Sequence, residues 1–503
     1  MINRRTLLRT GLGTAGALLL APATAAASTR RTRWERLSGC LSGDVVLPSD
    51  PAYTQARQLD SAAFDHVLPQ AIAYCENVGD VRTCVRFAQD NDIAVAVRSG
   101  GHSAAGYSTT TGMVLDVSRL SRIDVGASSV RLGPGVQGID LLSTLSQRGL
   151  SAITGNCPTV GMGGYLQGGG VGPLSRKYGV ASDRLLSAEV VLADGRVARC
   201  SPTREPDLFW ALRGGGGGNF GVVTQYEIAP VTTTRTVSFS LSWPYARAAE
   251  VIAAFLPWLA SAPDDLTANL TVMNQNAAPG SQPSLFVSGS WFGGPVATVD
   301  PHLTALVSAV GSAPASRSAD DLTYFDAMMR MFGCGTKTVQ QCHRVGYNLE
   351  ATLPRQSFVL ARGRLADRPM TSSAIGEALA AYEADPAGGQ FRVMSWGGLG
   401  GRINRVAPSA TAYAHRTAQH YFTYTAGVRT AAPPDEVKAS IESWTAKGFA
   451  VARRHGNGEG QVNFIDSTLP DWRRAYYGGN HSRLQWIKWR YDPHRFFRFA
   501  QSI

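Results

Sequence analysis

The sequence predicts an α+β protein with two domains. Its 503 residues are more than a single hydrophobic core usually organises. In the first half, short apolar runs that predict buried strands alternate with helical patterns and glycine-rich loops. From about residue 232 the pattern changes to longer strand-like alternations and amphipathic helices. This change predicts a second α+β domain over residues 232–454.

The predicted elements follow the apolar runs in chain order. In the first domain we expect strands at 93–97, 113–117, 129–132, 188–192 and 222–224, and a helix at 138–148. Asp194-Gly195 predicts a turn after the fourth of these strands. In the second domain we expect strands at 237–243 and 285–291, and helices at 246–260 and 371–383. No internal repeat is visible.

The composition is that of an ordinary globular protein, with 44% hydrophobic and 17% charged residues. The net charge of +11 suits anionic ligands but names none. No run of lysine and arginine is interleaved with aromatic residues, so we do not expect nucleic-acid binding. The 54 glycines cluster in a few runs, which indicates places where the backbone approaches another group closely.

The N-terminus predicts a twin-arginine export signal over residues 1–27. Residues 3–8 read NRRTLL, an apolar stretch follows at 11–21, and small residues at 25–27 offer a cleavage site. The apolar stretch is short for a membrane span, so we expect a secreted protein without stable membrane insertion after cleavage. An uncleaved anchor is the alternative. Removing the three arginines of this segment, which has no acidic residue, would leave a net charge of +8.

The cysteines are odd in number, which leaves one unpaired thiol in an oxidising compartment. They are Cys40, Cys75, Cys84, Cys157, Cys200, Cys334 and Cys342. Cys75 with Cys84 and Cys334 with Cys342 are close enough in sequence for each pair to close a short loop. None has the CxxC spacing of a structural zinc site, and we expect no metal.

One glycine motif matches a dinucleotide-binding pattern without its partner residue. Residues 133–138 read GPGVQG between a predicted strand and a predicted helix. A Rossmann site also needs an acidic residue about twenty positions later to bind the ribose. No Asp or Glu occurs between Asp140 and Asp183. We therefore interpret the motif as a tight turn, which disfavours a nicotinamide-dependent dehydrogenase.

Two other glycine-rich loops each contain a reactive side chain. Residues 98–103 (RSGGHS) follow a predicted strand, and their consecutive glycines can present backbone N–H groups to a pyrophosphate. His102 ends this nest. Residues 155–172 (GNCPTVGMGGYLQGGGVG) allow the backbone to lie flat against a planar ring, with Cys157 near the start. Taken alone, His102 is more often a loop residue than a functional one, and a lone cysteine such as Cys157 is usually simply buried.

Several segments, in order, resemble the berberine-bridge-enzyme-like FAD oxidases of the vanillyl-alcohol-oxidase superfamily. They are the His102 and Cys157 loops, residues 208–223 and the C-terminal tail 476–503, while residues 396–398 and 403–406 are similar to bacterial members. The resemblance implies a two-domain PCMH/vanillyl-alcohol-oxidase-type FAD-binding fold with an antiparallel-sheet substrate domain. Its FAD domain would comprise residues 28–231 and 455–503, on either side of the substrate domain at 232–454.

The resemblance also implies FAD held by two covalent bonds. His102 would bind the flavin 8-methyl group and Cys157, as a thiolate, the C6 atom. Tyr477 and Asn480 would lie near the ring or its ribityl chain. Further FAD contacts implied by the resemblance are Arg98, Ser99, Gly100, Gly101, Ser103, Thr159, Val160, Gly161, Gly163, Gly164, Gly168, Gly172, Gly221, Val222 and Val223.

The family's catalytic tyrosines are missing from this sequence. Gln461 stands two residues before Asn463, where many members have tyrosine, and two other common tyrosine positions are Ala104 and Val171. Glutamine is not a base at neutral pH, so we expect Gln461 and Asn463 to orient the substrate by hydrogen bonds. Either the substrate needs little help from a base, or another residue takes the proton. The candidates for that role are Tyr413, His415, His420, Tyr421 and Tyr424.

The function implied by the resemblance is hydride transfer from a small-molecule substrate to FAD, with molecular oxygen reoxidising the flavin to give hydrogen peroxide. We expect an alcohol, amine or phenolic carbon of a bulky secondary metabolite as the site of oxidation. A carbohydrate or oligosaccharide oxidase and a non-catalytic flavin-containing binding protein are the alternatives. The sequence leaves open the substrate, the proton acceptor, the oligomeric state and the cysteine pairing.

Overall fold

A computed structural model describes residues 33–503, so the export signal predicted over residues 1–27 lies outside the described residues. The architecture is α+β, as predicted, with three sheets. The α-helices include Tyr53–Ala56, Val78–Asp90, Gly138–Ser146, Met162–Gln167, Ser175–Tyr178, Pro206–Ala211, Ala248–Ser261, Val296–Val310, Tyr324–Met331, Ser372–Glu383, Asp435–His455, Trp472–Tyr477 and His481–Tyr491. Within the described chain, no helix is both long and apolar enough to cross a bilayer.

The first sheet is small and mostly parallel. Its strands are β1 (Val45–Val46), β2 (Ala71–Tyr74), β3 (Val95–Arg98) and β4 (Met113–Asp116), in the order β1-β2-β4-β3. Strands β2, β3 and β4 run parallel and are almost fully buried, which explains their continuous apolar sequences. The strands predicted at 93–97 and 113–117 are confirmed within two residues. The loop that contains His102 begins where β3 ends.

The second sheet is antiparallel and has five strands. They are β5 (Ile123–Val125), β6 (Val130–Leu132), β7 (Leu185–Val191), β8 (Val197–Cys200) and β9 (Val222–Ile228), in the order β5-β6-β9-β7-β8. The predicted Asp194-Gly195 turn joins β7 to β8, with Gly195 at a φ of 76°. Residues 133–138 form the predicted tight turn, in which the Val136 N–H donates to the Gly133 carbonyl (3.3 Å).

The third sheet belongs to the second half of the chain and is antiparallel throughout. Its strands are β10 (Arg235–Trp243), β11 (Leu266–Asn274), β12 (Ser284–Trp291), β13 (Ser316–Thr323), β14 (Val359–Ala366), β15 (Phe391–Gly398) and β16 (His420–Gly427). Their order is β13-β10-β12-β11-β15-β16-β14. The predicted strands at 237–243 and 285–291 and the predicted helices at 246–260 and 371–383 are confirmed.

The two faces of the third sheet differ in chemistry because side chains alternate along each strand. One face packs its apolar residues, among them Leu270, Trp396 and Phe422, against four helices in a single buried core. The opposite face carries mainly hydroxyl and amide side chains that are half-buried. They include Ser238, Ser240, Asn269, Thr271, Ser288, Ser395, Tyr421 and Thr425.

The C-terminal segment packs back onto the first half of the chain. Leu484 and Ile487 lie in the same core as Phe220. The Lys488 ammonium donates to the Asn219 carbonyl (2.6 Å), and the Ile503 N–H donates to the Asn219 side chain (3.0 Å). The domain boundaries at 231/232 and 454/455 themselves stay predictions.

One of the two suggested cysteine pairs is bonded. Cys334 and Cys342 form a disulfide. Cys75 and Cys84 are both fully buried with their sulfur atoms 3.8 Å apart and are not bonded. Cys157 is a free, partly buried thiol.

Candidate functional site

The two loops that contain His102 and Cys157 cross with their backbones in contact. A Cβ atom added to Gly100 would lie 2.5 Å from the Gly161 nitrogen, and one added to Gly161 would lie 2.6 Å from the Gly100 nitrogen. Neither position has room for a side chain. Loops 98–103 and 155–164 can therefore pack this closely only because both positions are glycine.

His102 and Cys157 converge on the hydroxyl of Thr159. The His102 Nε2 atom lies 2.9 Å from Thr159 Oγ1, and the Cys157 sulfur lies 3.7 Å from the same oxygen. The two reactive atoms are therefore separated by no more than these two contacts laid end to end. That separation suits two bonds to neighbouring positions of one aromatic ring, so these residues fit a doubly attached flavin.

The protonation of the two side chains differs from the sequence expectation. Burial lowers the pKa of His102, while Asp60, whose Oδ2 lies 3.4 Å from Nδ1, opposes the shift. A neutral imidazole keeps the lone pair that bond formation needs. Burial raises the pKa of the Cys157 thiol, although hydrogen bonds from Thr159 oppose this shift. Cys157 is therefore a protonated thiol in this environment and not the expected thiolate.

The second glycine-rich stretch has one open side. A Cβ atom on Gly164, within helix Met162–Gln167, would meet no atom within 4 Å. On the other side, Gly169 lies against the ring of Tyr413 at a φ of 104°. Glycine is required at Gly169 because the positive φ and the aromatic ring both exclude a side chain. The stretch thus forms a flat wall on the side of Gly164.

Other predicted FAD contacts lie in these same two loops. Ser99 donates to the Pro134 carbonyl (2.6 Å), and Ser103 accepts from the Tyr107 N–H (3.1 Å). The structure brings this group together at the crossing of the loops. Its members are Ser99, Gly100, Gly101, His102, Ser103, Cys157, Thr159, Val160, Gly161, Gly163 and Gly164.

Three further predicted contacts lie in protein surroundings, and their contact with FAD stays a prediction. The Arg98 guanidinium is buried in an ion pair with Asp116 at the end of the first sheet. The Asn480 amide donates to the carbonyls of Pro408 (2.8 Å) and Thr411 (3.1 Å), so it holds a loop of the second half. Tyr477 is 1% exposed inside the core formed with the C-terminal helices. These side chains support the site from behind.

A further group contributes backbone packing. Gly172 approaches the Thr154 carbonyl, and Gly221, at a φ of 150°, leads into β9. A larger side chain at either position would collide with neighbouring backbone. The residues with this packing role are Gly168, Gly172, Gly221, Val222 and Val223.

Asn463 and Gln461 differ although the sequence predicts the same role for both. Asn463 accepts from the Gly170 N–H (3.0 Å) and donates to the Tyr165 (3.2 Å) and Gly164 (3.4 Å) carbonyls. Its amide therefore holds the glycine stretch, and its role in orienting the substrate stays a prediction. Gln461 is 2% exposed, and its Nε2 has no partner within residues 33–503. A buried donor without a partner is available to a ligand.

Four of the five candidate proton acceptors are buried within the protein. Tyr424 lies on the helix-packed face of the third sheet and donates to the Ala378 carbonyl (2.9 Å). His420 is buried without a polar partner at Nε2, and burial lowers its pKa to about 4. Tyr413 packs behind the glycine stretch. His415, which is also buried, faces a carboxylate of the second half, 3.2 Å away.

Tyr421 is the exception, because its side chain lies on the opposite face of β16. Its ring stacks on Phe464 with centroids 5.2 Å apart, and it packs against the same buried cluster as Val171 of the glycine stretch. Burial, with Asp466 nearby, raises the pKa of its phenol, so Tyr421 is a neutral hydrogen-bond donor. It therefore lies where the glycine stretch, the C-terminal segment and the third sheet meet.

Sequence reasoning missed Asp60 and Phe464. Asp60 lies 42 residues before His102, and nothing in its local sequence distinguishes it from other acidic loop residues. Phe464 follows Asn463 directly and is half exposed, which is unusual for phenylalanine. An aromatic residue next to a predicted site residue was the available signal for Phe464.

Comparison with known proteins identifies two family domains in the order predicted. Residues 69–201 match the family described as FAD binding domain, and residues 462–503 match the family described as Berberine and berberine like. The (R)-6-hydroxynicotine oxidase of Paenarthrobacter nicotinovorans is 38% identical over 49% of this chain and 52% of that protein. The chitooligosaccharide oxidase of Gibberella zeae is 25% identical over 94% of this chain and 95% of that protein.

The fold is shared with a solved structure of the same kind. Physcomitrella patens BBE-like 1 superposes with a TM-score of 0.83 at 23% identity, covering 93% of this chain and 98% of that one. The glycine-lined wall and the crossing loops provide the kind of surface that an FAD cofactor needs. The chain is therefore an FAD-dependent oxidoreductase that contains an FAD binding domain and a C-terminal domain of the berberine and berberine like kind.

Proposed function

We propose that this protein is an oxidase that carries FAD through two covalent bonds, at His102 and Cys157. The observation that carries the proposal is the convergence of both side chains on the Thr159 hydroxyl. When bound, the flavin supplies hydride acceptance from a substrate carbon and electron transfer to molecular oxygen, which gives hydrogen peroxide. The surrounding side chains bind and orient the substrate.

The protein's own residues hold the site rigid and leave hydrogen-bond donors for the substrate. Crossing of the two loops at Gly100 and Gly161 fixes one wall. Gln461 and Tyr421 offer an amide and a phenol that can orient a substrate oxygen or nitrogen. The neighbouring carboxylate, Asp466, is already paired with Arg362 (2.9 Å). The site is therefore richer in donors than in free bases.

A site of this kind favours a substrate that loses its proton easily, such as a phenol or an electron-rich amine. We therefore propose an amine, phenolic or alcohol carbon of a bulky secondary metabolite as the position oxidised. The relative named 6-hydroxynicotine oxidase, by its name, acts on a compound with both a nitrogen base and a hydroxyl group. A substrate screen that follows peroxide release, with anaerobic bleaching of the flavin as confirmation, tests this class.

A carbohydrate oxidase is the second candidate, and one observation favours it. The half-buried face of the third sheet presents hydroxyl and amide groups at Ser240, Asn269, Thr271, Ser288 and Ser395. Such a face can hydrogen-bond a polyhydroxylated substrate, and a relative over nearly the whole chain is named chitooligosaccharide oxidase. Peroxide release with oligosaccharides but not with phenols or amines would select this candidate. A flavin that no substrate bleaches would instead indicate a binding protein.

The covalent attachment is tested without knowing the substrate. Denatured protein should stay yellow, and its mass should exceed that of the polypeptide by one FAD. His102→Ala and Cys157→Ala should each retain a tethered flavin, because one bond remains. The double variant should release all flavin on denaturation. Complete release from either single variant would contradict the two-bond assignment.

We also propose that residues 1–27 direct export of the folded protein by the twin-arginine route. The NRRTLL motif supports this, and a covalently held cofactor is useful where no fresh FAD is available. Replacing Arg4 and Arg5 by lysine should retain the protein in the cytoplasm. Export of that variant at the normal rate would contradict the proposal. Cell fractionation with an antibody against the chain measures the outcome.

A further inference from the structure

We propose that Asp60, His102 and Thr159 form a proton relay that activates the Cys157 thiol for its bond to the flavin. This inference rests on the proposed two-bond attachment. It assigns a role to Asp60, which no sequence motif indicates. It also makes Thr159 a positioning residue between the two attachment points.

The contacts form one continuous chain. Asp60 Oδ2 lies 3.4 Å from His102 Nδ1, His102 Nε2 lies 2.9 Å from Thr159 Oγ1, and that oxygen lies 3.7 Å from the Cys157 sulfur. Because Nε2 faces Thr159, Nδ1 is the ring nitrogen left to bond the flavin 8-methyl group, and the Asp60 carboxylate beside it favours positive charge on the ring. The lone pair of Nε2 then accepts from the Thr159 O–H. The Thr159 oxygen in turn accepts from the Cys157 S–H.

At one end of the relay, the backbone of Asp60 is held by hydrogen bonds to two segments that are distant in sequence. Its N–H donates to the Gly101 carbonyl (3.1 Å), and its carbonyl accepts from the Gln356 N–H (2.9 Å). Arg355, which precedes Gln356 in the sequence, donates to the Leu59 carbonyl (2.8 Å). The carboxylate is therefore held beside His102 by both its own loop and a segment from the second half.

In the middle of the relay, Thr159 is held in place by the crossing of the two loops. Thr159 is 6% exposed, and its carbonyl lies within 2.9 Å of the position that a Cβ on Gly100 would take. The hydroxyl therefore has little freedom to leave the space between His102 and Cys157. This arrangement resembles a carboxylate–imidazole–nucleophile triad in which one hydroxyl separates the imidazole from the nucleophile.

The relay would offset the effect of burial on the Cys157 thiol, which is to raise its pKa. A buried thiol is protonated and reacts slowly, because the thiolate is the nucleophile. Movement of one proton from Cys157 to Thr159, as the Thr159 proton moves to His102, leaves a thiolate beside the flavin. The resulting imidazolium is stabilised by the Asp60 carboxylate.

The overall reaction balances with molecular oxygen as oxidant. The S–H bond of Cys157 and one C–H bond of the flavin ring break, and a C–S bond forms. Two electrons and two protons leave and reduce one oxygen molecule to hydrogen peroxide. The relay moves only the first of these protons and is restored when His102 releases it to solvent.

Peptide mapping of the purified holoprotein tests the relay. Trypsin should yield residues 99–119, which contain His102, and residues 149–176, which contain Cys157. In the wild type the flavin joins these two peptides into one species. In Thr159→Val, we expect at least a tenfold lower ratio of joined peptides to peptide 99–119 carrying flavin alone, sampled early after induction. Its Cys157 should then be alkylated by iodoacetamide.

Thr159→Ser is the matched control, because it restores the hydroxyl, and it should map like the wild type. Asp60→Asn should slow the joining of the peptides severalfold. Adding Thr159→Val to His102→Ala should slow cysteine attachment no further than His102→Ala alone, because both changes break the same chain.

The possible failures are distinguishable. If wild-type protein gives no joined peptides, the two-bond function itself is wrong. If Thr159→Val joins the peptides as fast and as completely as the wild type, the relay is wrong. Should Thr159→Val not retain flavin before denaturation, Asp60→Asn and the His102→Ala pair decide the question by the same ratio.

Discussion

The crossing of the two cofactor loops and the substrate side of the site differ in how tightly they are determined. At the crossing, Gly100 and Gly161 touch backbone to backbone, and their neighbours have no alternative positions. On the substrate side, the Gln461 amide nitrogen has no partner within residues 33–503, whereas the Asn463 amide bonds the glycine stretch. The loop crossing is thus fixed by geometry, while the side chains on the substrate side are less constrained.

The largest effect is expected at the loop crossing. Gly161→Ala should lower the free energy of unfolding by about 3 kcal/mol and abolish flavin binding, because its Cβ would overlap the Gly100 nitrogen. Gly164→Ala is the matched control, since nothing lies within 4 Å of its Cβ, and its stability should stay within about 1 kcal/mol of the wild type. Urea unfolding of both variants measures the contrast. Equal stabilities would remove the distinction between the two regions.

The next effect is expected at Tyr421. Tyr421→Phe should lower kcat/KM by about 10- to 100-fold for the substrate found by screening, with flavin content unchanged, because one hydrogen bond to the substrate is lost. Tyr424→Phe, on the other face of the same strand, loses its bond to Ala378. This control should cost about 1 kcal/mol of stability and change kcat/KM by no more than about twofold. A reversed pattern would place the substrate elsewhere.

Acid should weaken the second half of the molecule through His420. Its pKa is lowered from 6.5 to about 4 in the folded protein, so the unfolded chain binds the proton more readily. Stability is therefore full above pH 6.5 and falls as the pH decreases towards 4. Between pH 7 and pH 5 we expect a loss of about 2 kcal/mol from this group. His420→Gln should show a smaller loss in urea unfolding at these two pH values, and an unchanged loss would contradict the assignment.

The smallest effect is expected at Gln461. Gln461→Leu removes a buried donor that has no protein partner, so the free energy of unfolding should stay the same or rise by up to about 1 kcal/mol. The value of kcat/KM should fall about fivefold, because the substrate loses a donor. Flavin content serves as the internal control. A clear loss of stability would show that Gln461 has a structural role after all.

The sequence was informative where local physics determines structure. The buried strands β3 and β4 and the helix Gly138–Ser146 were predictable from apolar runs and helical spacing. Glycine neighbours indicated the close approach of the loops that contain His102 and Cys157, whereas the family resemblance singled out the two residues themselves, and their roles stay predictions. The missing acidic residue after Asp140 correctly separated a turn from a Rossmann site.

The remaining site residues depend on contacts that local sequence does not encode. Alternation along β16 separates Tyr421 from Tyr424 but does not tell which face meets the cofactor domain. Asn480 carries an amide suited to a ligand, yet protein carbonyls accept its hydrogen bonds, while Arg98 pairs with Asp116 through one nitrogen and keeps another without a partner in the described residues. Asp60 reaches His102 only through the tertiary fold, across 42 positions of chain.

The anchoring of Asp60 by Gln356 means that the FAD module is not self-sufficient. A fragment ending at residue 231 would lack Arg355 and Gln356. It would therefore lose the hydrogen bonds that these residues make to the backbone of Leu59 and Asp60, beside His102. Splitting the gene at that boundary would therefore impair flavin loading before any substrate is considered. Engineering that exchanges substrate modules between relatives needs to transfer this support together with the new module.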